Sequence, residues 1–183
     1  MTQRSKNKVG FTTVELLTVI LLIGILSGMG VAGLQTAVAN ARIKDAAYNV
    51  SAYLERTANE ARKLNFPLCV KKENDQKLKT YAMTCTSGTL GEAVDSLVLD
   101  APNRIMTTEI PTGLEGINII APTTDEAKEA ASFIPQPGLS AAPRQGFVVI
   151  RYGDRDLYGA ATKSAKKNSF VAKWNISNSW SDL

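Results

Sequence analysis

One acidic residue, Glu15, sits at the start of the most apolar stretch of the chain, in KVGFTTVELL. A carboxylate inside such a segment is costly and rare by chance, so it either meets a partner, snorkels to an interface, or takes up a proton. Two cysteines, Cys69 and Cys85, fall on opposite arms of an expected hairpin. In an oxidising compartment a disulfide there adds roughly 3 kcal/mol; the alternative is two buried thiols. A two-cysteine metal site has little support, because the chain has no histidine and no C-x-x-C, and histidine-dependent triads are excluded for the same reason. Asp154 and Asp156 in RYGDRDL are spaced like a solvated turn rather than an acid/base pair. Lys163, Lys166 and Lys167 in ATKSAKKNSF precede Phe170, Trp174 and Trp180. Cations beside aromatics can hold a nucleic acid strand. The plainer reading is a basic loop leading into a core strand, since Phe170 and Trp174 are in phase with Ala172 and Ile176. Gly28, Gly30 and Gly33 spell G-x-G-x-x-G, but no strand precedes them, so no dinucleotide site is expected. Gly24 and Gly28 form a G-x-x-x-G pair that suits close helix packing. No catalytic group and no cofactor is implied.

The elements that carry these residues follow from pattern. A chain of 183 residues, 44% hydrophobic and 21% charged, suits one globular domain and an additional segment. That segment is at the front: residues 16–34 are nineteen uncharged positions rich in Leu, Ile, Val and Gly. A bilayer-crossing helix needs about 20 such positions. Arg4, Lys6 and Lys8 precede it with no acid among them, which orients the N-terminus to the cytoplasm. Helical periodicity then continues, with Ile43, Ala47, Val50, Leu54, Ala58, Ala61 and Leu64 on one face. One helix over residues 12–64 is expected, roughly 80 Å long at ~1.5 Å per residue, with Pro67 as its stop. Beyond it, PLCVKK and KLKTYAMTC flank the turn ENDQ as a hairpin, and further strands are expected at 96–99, 105–110, 117–121, 146–152, 157–162 and 169–176. TTDEAKEAASF reads as a short helix or an excursion, and PQPGLSAAP as a loop. The fold class is therefore α+β: a long N-terminal helix, transmembrane in its first half and amphipathic in its second, packed against one antiparallel sheet.

GFTTVELL resembles the type III signal of type IV pilins and type II secretion pseudopilins. The carrying residues are the basic leader with Lys8, then Gly10, Phe11, Glu15, and the apolar run from Leu16. The resemblance implies that a prepilin peptidase cuts between Gly10 and Phe11 and methylates the new N-terminal Phe11. It also implies that Glu15 pairs with a neighbouring subunit's N-terminal ammonium during assembly. The implied organisation is a leader over 1–10, a membrane and filament-core helix over 11–34, an amphipathic half over 35–66 and a periplasmic β-rich domain over 67–183. The implied partners are the peptidase, other pilins or pseudopilins, the assembly platform and the bacterial inner membrane, crossed once. The run LERTANEARKLNFPLCV, with Glu60, Ala61, Arg62, Asn65, Pro67 and Cys69, is similar to the minor pseudopilin H and FimT-like group. That resemblance implies a structural minor subunit near a filament tip. The alternative is a DNA-binding subunit for uptake, but the chain ends NISNSWSDL and lacks the basic C-terminal motif of that subgroup. The leader holds three of the 21 basic residues and no acid, leaving 18 against 17. The mature chain is then nearly neutral, and its charge gives no argument for nucleic acid.

Overall fold

The computed structural model describes residues 10–183 except 84, 86–90, 121–129, 136–137, 140–144, 165, 167–168 and 177–178, together with the side chains of 29, 32, 117, 130, 138 and 139. Helix α1 (Thr13–Leu64) comes first. Two compact units divide the chain at Val38 and Ala39. In the first, the most apolar eighteen-residue window of the helix has mean hydropathy 2.3, and none of it is buried. It is long and apolar enough to cross a membrane.

Among its described residues the second unit contains the rest of α1 and eleven strands: β1 (Leu68–Asn74), β2 (Lys77–Tyr81), β3 (Ala93–Val98), β4 (Asn103–Met106), β5 (Ile117–Asn118), β6 (Ala130–Ile134), β7 (Gly138–Leu139), β8 (Gly146–Tyr152), β9 (Tyr158–Lys163), β10 (Val171–Ile176) and β11 (Ser179–Asp182). They form two sheets, ordered β3-β2-β1-β6-β7 and β11-β10-β9-β8-β4, with β5 pairing β8. All pairs are antiparallel except β5 with β8.

The helix needs both sheets because its buried stripe is wide. Ile43, Ala46, Ala47, Val50, Tyr53, Leu54, Thr57, Ala58 and Ala61 are all buried at steps of one, three or four. Toward the first sheet, Tyr53 and Thr80 share a hydrogen bond of 2.6 Å, and Arg56 pairs with Asp95. Burial pushes the Tyr53 phenol up to about 12, with Asp95 adding to the rise and the Thr80 hydrogen bond opposing it. Toward the second sheet, the Phe170 N–H donates to Glu55 Oε2 at 3.0 Å, and the Lys44 ammonium lies 4.0 Å from the centre of the Trp174 ring. Phe133 and Phe170 meet edge to face at 6.0 Å, one from β6 and one just ahead of β10, so the two sheets share a core.

The helix ends at Leu64, as expected, but the stop is supplied by Asn65 rather than by Pro67. Asn65 has φ 51°, the Phe66 N–H donates to the Ala61 carbonyl at 3.2 Å and the Asn65 N–H to the Arg62 carbonyl at 3.3 Å. That is a Schellman ending with asparagine in the left-handed position, which occupies carbonyls the last turn leaves open.

Several expectations from sequence are corrected. One sheet becomes two. AASFI is a strand, β6, beside β1 with Leu68 opposite Phe133, rather than part of a helix or excursion; residues 123–129 of that segment lie outside the described residues. The PQPGLSAAP segment contributes β7, and the C-terminal SWSD pairs with β10 as β11. The strand expected at 105–110 is Asn103–Met106, and the one expected at 96–99 is Ala93–Val98.

Close approach of helix and second sheet depends on Gly159. A Cβ placed there would lie 2.9 Å from the Ile43 carbonyl oxygen and 3.0 Å from Ala47 Cβ. The two nearest atoms, a helix carbonyl oxygen and a Cβ, are fixed by the helix backbone and cannot swing aside. Gly159→Ala is therefore expected to destabilise the chain by about 1–3 kcal/mol, as overpacked cores do. Urea unfolding would check this, and an unchanged midpoint would show that the helix can shift freely.

Candidate functional site

The segment with the strongest chemical signal in sequence is the start of α1. Gly10, Phe11 and Thr12 precede the helix, and Phe11 is 86% exposed. Thr12 caps it. Its N–H and its hydroxyl both donate to Glu15 Oε2 at 2.9 Å, while the Glu15 N–H donates to Thr12 Oγ1 at 3.2 Å. This reciprocal arrangement is a capping box, and it serves donors that the first helical turn otherwise leaves without acceptors. The Thr18 hydroxyl donates to the Glu15 carbonyl at 2.9 Å. After this first turn the surface is apolar on every side, with Leu17, Ile20, Leu21, Ile23 and Leu26 all exposed. Chemically, the arrangement offers an accessible peptide junction, a fixed carboxylate and a lipid-compatible helix.

The capping residue was legible but unread: T-x-x-E ahead of an apolar run is itself a sequence signature for a helix start. Gly28, Gly30 and Gly33 lie inside α1, and among the described residues no strand precedes them in the chain.

Cys69 and Cys85 are joined by a disulfide with a Cα separation of 5.1 Å, and no described cysteine is free. Cys69 is on β1, whereas Cys85 lies past the end of β2, in a turn. Among the described residues no group of His, Cys, Asp or Glu side chains could hold a metal ion. Asp154 and Asp156 sit in the exposed β8–β9 connection, where the Arg151 guanidinium donates to the Asp154 and Arg155 carbonyls and to Asp156 Oδ1. They form an arginine-held turn, with Arg104 Nη1 also 3.9 Å from Asp154 Oδ1, and not an acid/base pair.

Two of the three lysines considered for nucleic acid are described, and they differ in burial. Lys166 is exposed, Lys167 lies outside the described residues, and Lys163 is buried at 5% exposure. Lys163 shares the inward face of β9 with Gly159 and Ala161, so its side chain is drawn into the core. Its Nζ has no hydrogen-bond partner among the described residues and lies 5.6 Å from the centre of the Phe170 ring. A buried ammonium cannot reach a phosphate.

Burial lowers the Lys163 pKa from its ordinary 10.5, Arg62 lowers it further, and Glu55 opposes both. The sign follows from linkage. The charged form is disfavoured in the fold, so the penalty is complete at low and neutral pH and disappears as pH rises toward the ordinary lysine value. Lys163→Met is accordingly expected to stabilise the chain by about 1–3 kcal/mol at pH 7, with the advantage shrinking as pH rises toward the ordinary lysine value. Denaturation curves of both proteins across that range would test it, and a less stable methionine variant at pH 7 would contradict it.

Comparison of the chain with family models, with curated proteins and with solved structures returns no match.

Proposed function

We propose that this chain is a structural subunit of a type II secretion pseudopilus or type IV pilus, a minor one placed near the tip, and not an enzyme. The observation that carries the reading is the junction at Gly10 and Phe11, followed five residues on by one carboxylate and then by a helix whose apolar surface is unburied in its own chain. An apolar helix left bare by its own fold needs lipid or other helices around it. A filament supplies both in turn, first the inner membrane and then a bundle of neighbouring helices. In this reading prepilin peptidase removes residues 1–10 on the cytoplasmic side and methylates Phe11. The β-rich unit lies in the periplasm, and the assembly platform draws the subunit into the filament. Glu15 then sets axial register by meeting a neighbour's N-terminal ammonium, because a carboxylate and an ammonium taken out of water together are tolerated far better than either alone. Disulfide formation between Cys69 and Cys85 fits an oxidising compartment. Burial of Lys163 takes one of three candidate lysines from the DNA-binding alternative, which is why the filament reading is preferred.

Glu15→Val tests the assembly role separately from processing. The expected result is a chain that still loses residues 1–10 but is recovered in membranes rather than in sheared filaments. Normal incorporation of the valine variant would remove Glu15 from the mechanism.

A further inference from the structure

Strand β8 is apolar on both faces. Val148 and Ile150 point into the core that α1 closes, whereas Phe147 and Val149 point the other way and are buried with Ala160 of β9 in a separate cluster. The helix cannot cover that outer face, and the cover is instead the connection from β4 to β5, residues 107–116. Its Ile110 and Leu114 pack on the cluster beside Trp180 of β11. Among the described residues this segment makes no backbone–backbone hydrogen bond, and one side-chain bond ties it down, from Trp180 Nε1 to the Thr112 carbonyl at 3.0 Å. Gly113, at φ 94°, crosses the indole so closely that a Cβ there would lie 3.2 Å from Trp180 Cδ1. The segment bends at Glu109, with φ 55°, and at Gly116, with φ 102°. Left-handed backbone at a residue other than glycine is strained, and movement of the segment relieves it.

Two apolar anchors, one hydrogen bond and no backbone pairing place a segment at the low-stability end of a fold. We propose that residues 107–116 form a strap that opens as a unit, with Trp180 as its latch, and that opening bares the apolar strip of Phe147, Val149 and Ala160 while the helix-side core stays closed. The latch stands on β11, the outermost strand of its sheet, so the state of the strap is coupled to the C-terminal strand. The device belongs to the β-rich unit and holds whether or not the chain enters a filament.

Reporter thiols in the full chain, held in detergent micelles, separate local from global opening. Both native cysteines are bridged, so an introduced thiol stands alone. Ala160→Cys lies under the strap and Ala161→Cys faces the helix-side core, and both positions are fully buried. Expected is maleimide labelling at least about a hundredfold faster at 160 than at 161. Trp180→Phe, which keeps a ring and removes the donor, should raise the rate at 160 roughly fivefold and leave 161 unchanged. Gly113→Ala, crowded against the same indole, should act in the same direction as Trp180→Phe. Ala172→Cys on β10 supplies a second core reporter should the 161 variant fail to fold. Equal labelling at 160 and at the core reporter would show that the face opens only with the whole unit and would overturn the strap. An unchanged rate at 160 in Trp180→Phe would overturn the latch.

Discussion

Phe133→Ala is expected to destabilise the chain by about 3–5 kcal/mol, a large part of the margin on which a domain of this size folds. Phe133 is fully buried and is among the largest such side chains in the protein. It stands on β6 opposite Leu68 of β1, and its ring meets Phe170 from the second sheet. Truncation therefore removes a transfer contribution and also opens a void in the core that the helix and both sheets share. Phe133→Leu, which keeps most of the volume, should lose less than half as much. Urea unfolding of the two variants would decide the matter, and an alanine variant within about 1 kcal/mol of the parent would show that the sheets do not share a core there.

Reduction of the Cys69–Cys85 disulfide is expected to remove about 3 kcal/mol, because the link closes a loop between residues 16 apart and restricts the unfolded chain. Cys69 is buried beside β2, with Tyr81 opposite it, so the linked loop is tied to a central strand of the first sheet. Its loss should loosen the β1–β2–β3 end while leaving the pairing of β8, β9 and β10 intact. Unfolding of the parent with and without reductant, alongside a Cys69→Ser, Cys85→Ser double variant, gives the comparison. Identical midpoints in the two redox states would contradict a stabilising bridge.

The long helix is legible in sequence because two independent signals overlap in it: an uncharged apolar run, then a stripe from Ile43 to Ala61 that recurs at the helical period. Strand β8 is legible because GFVVIRY is a continuous β-branched and aromatic run that ends in a Gly-Asp turn. Strands β6, β7 and β11 are not, because AASFI, GL and SWSD have no alternation strong enough to stand alone. Their conformation is fixed by partners distant in the chain, β6 by β1 across more than fifty residues. The division into two sheets is invisible for the same reason: nothing local states that Tyr53 faces Thr80 while Ile43 faces Gly159. At the helix start, Gly10, Phe11 and Glu15 stand out as residue types at fixed offsets and T-x-x-E marks the cap, while the structure adds that the Thr12 hydroxyl bonds Glu15 twice. Lys163 was misplaced because a lysine beside two others reads as a basic loop, whereas strand alternation with Gly159 and Ala161 turns it inward.

The intact mass of the chain produced with and without an active prepilin peptidase, for the parent and for a Gly10→Val variant, tests the proposed identity most directly. Loss of residues 1–10 with one added methyl group on Phe11, seen only with peptidase and only when Gly10 is present, is the expected result. A parent chain that keeps its first ten residues in the presence of peptidase would make this a plain membrane-anchored domain and would contradict the filament pathway.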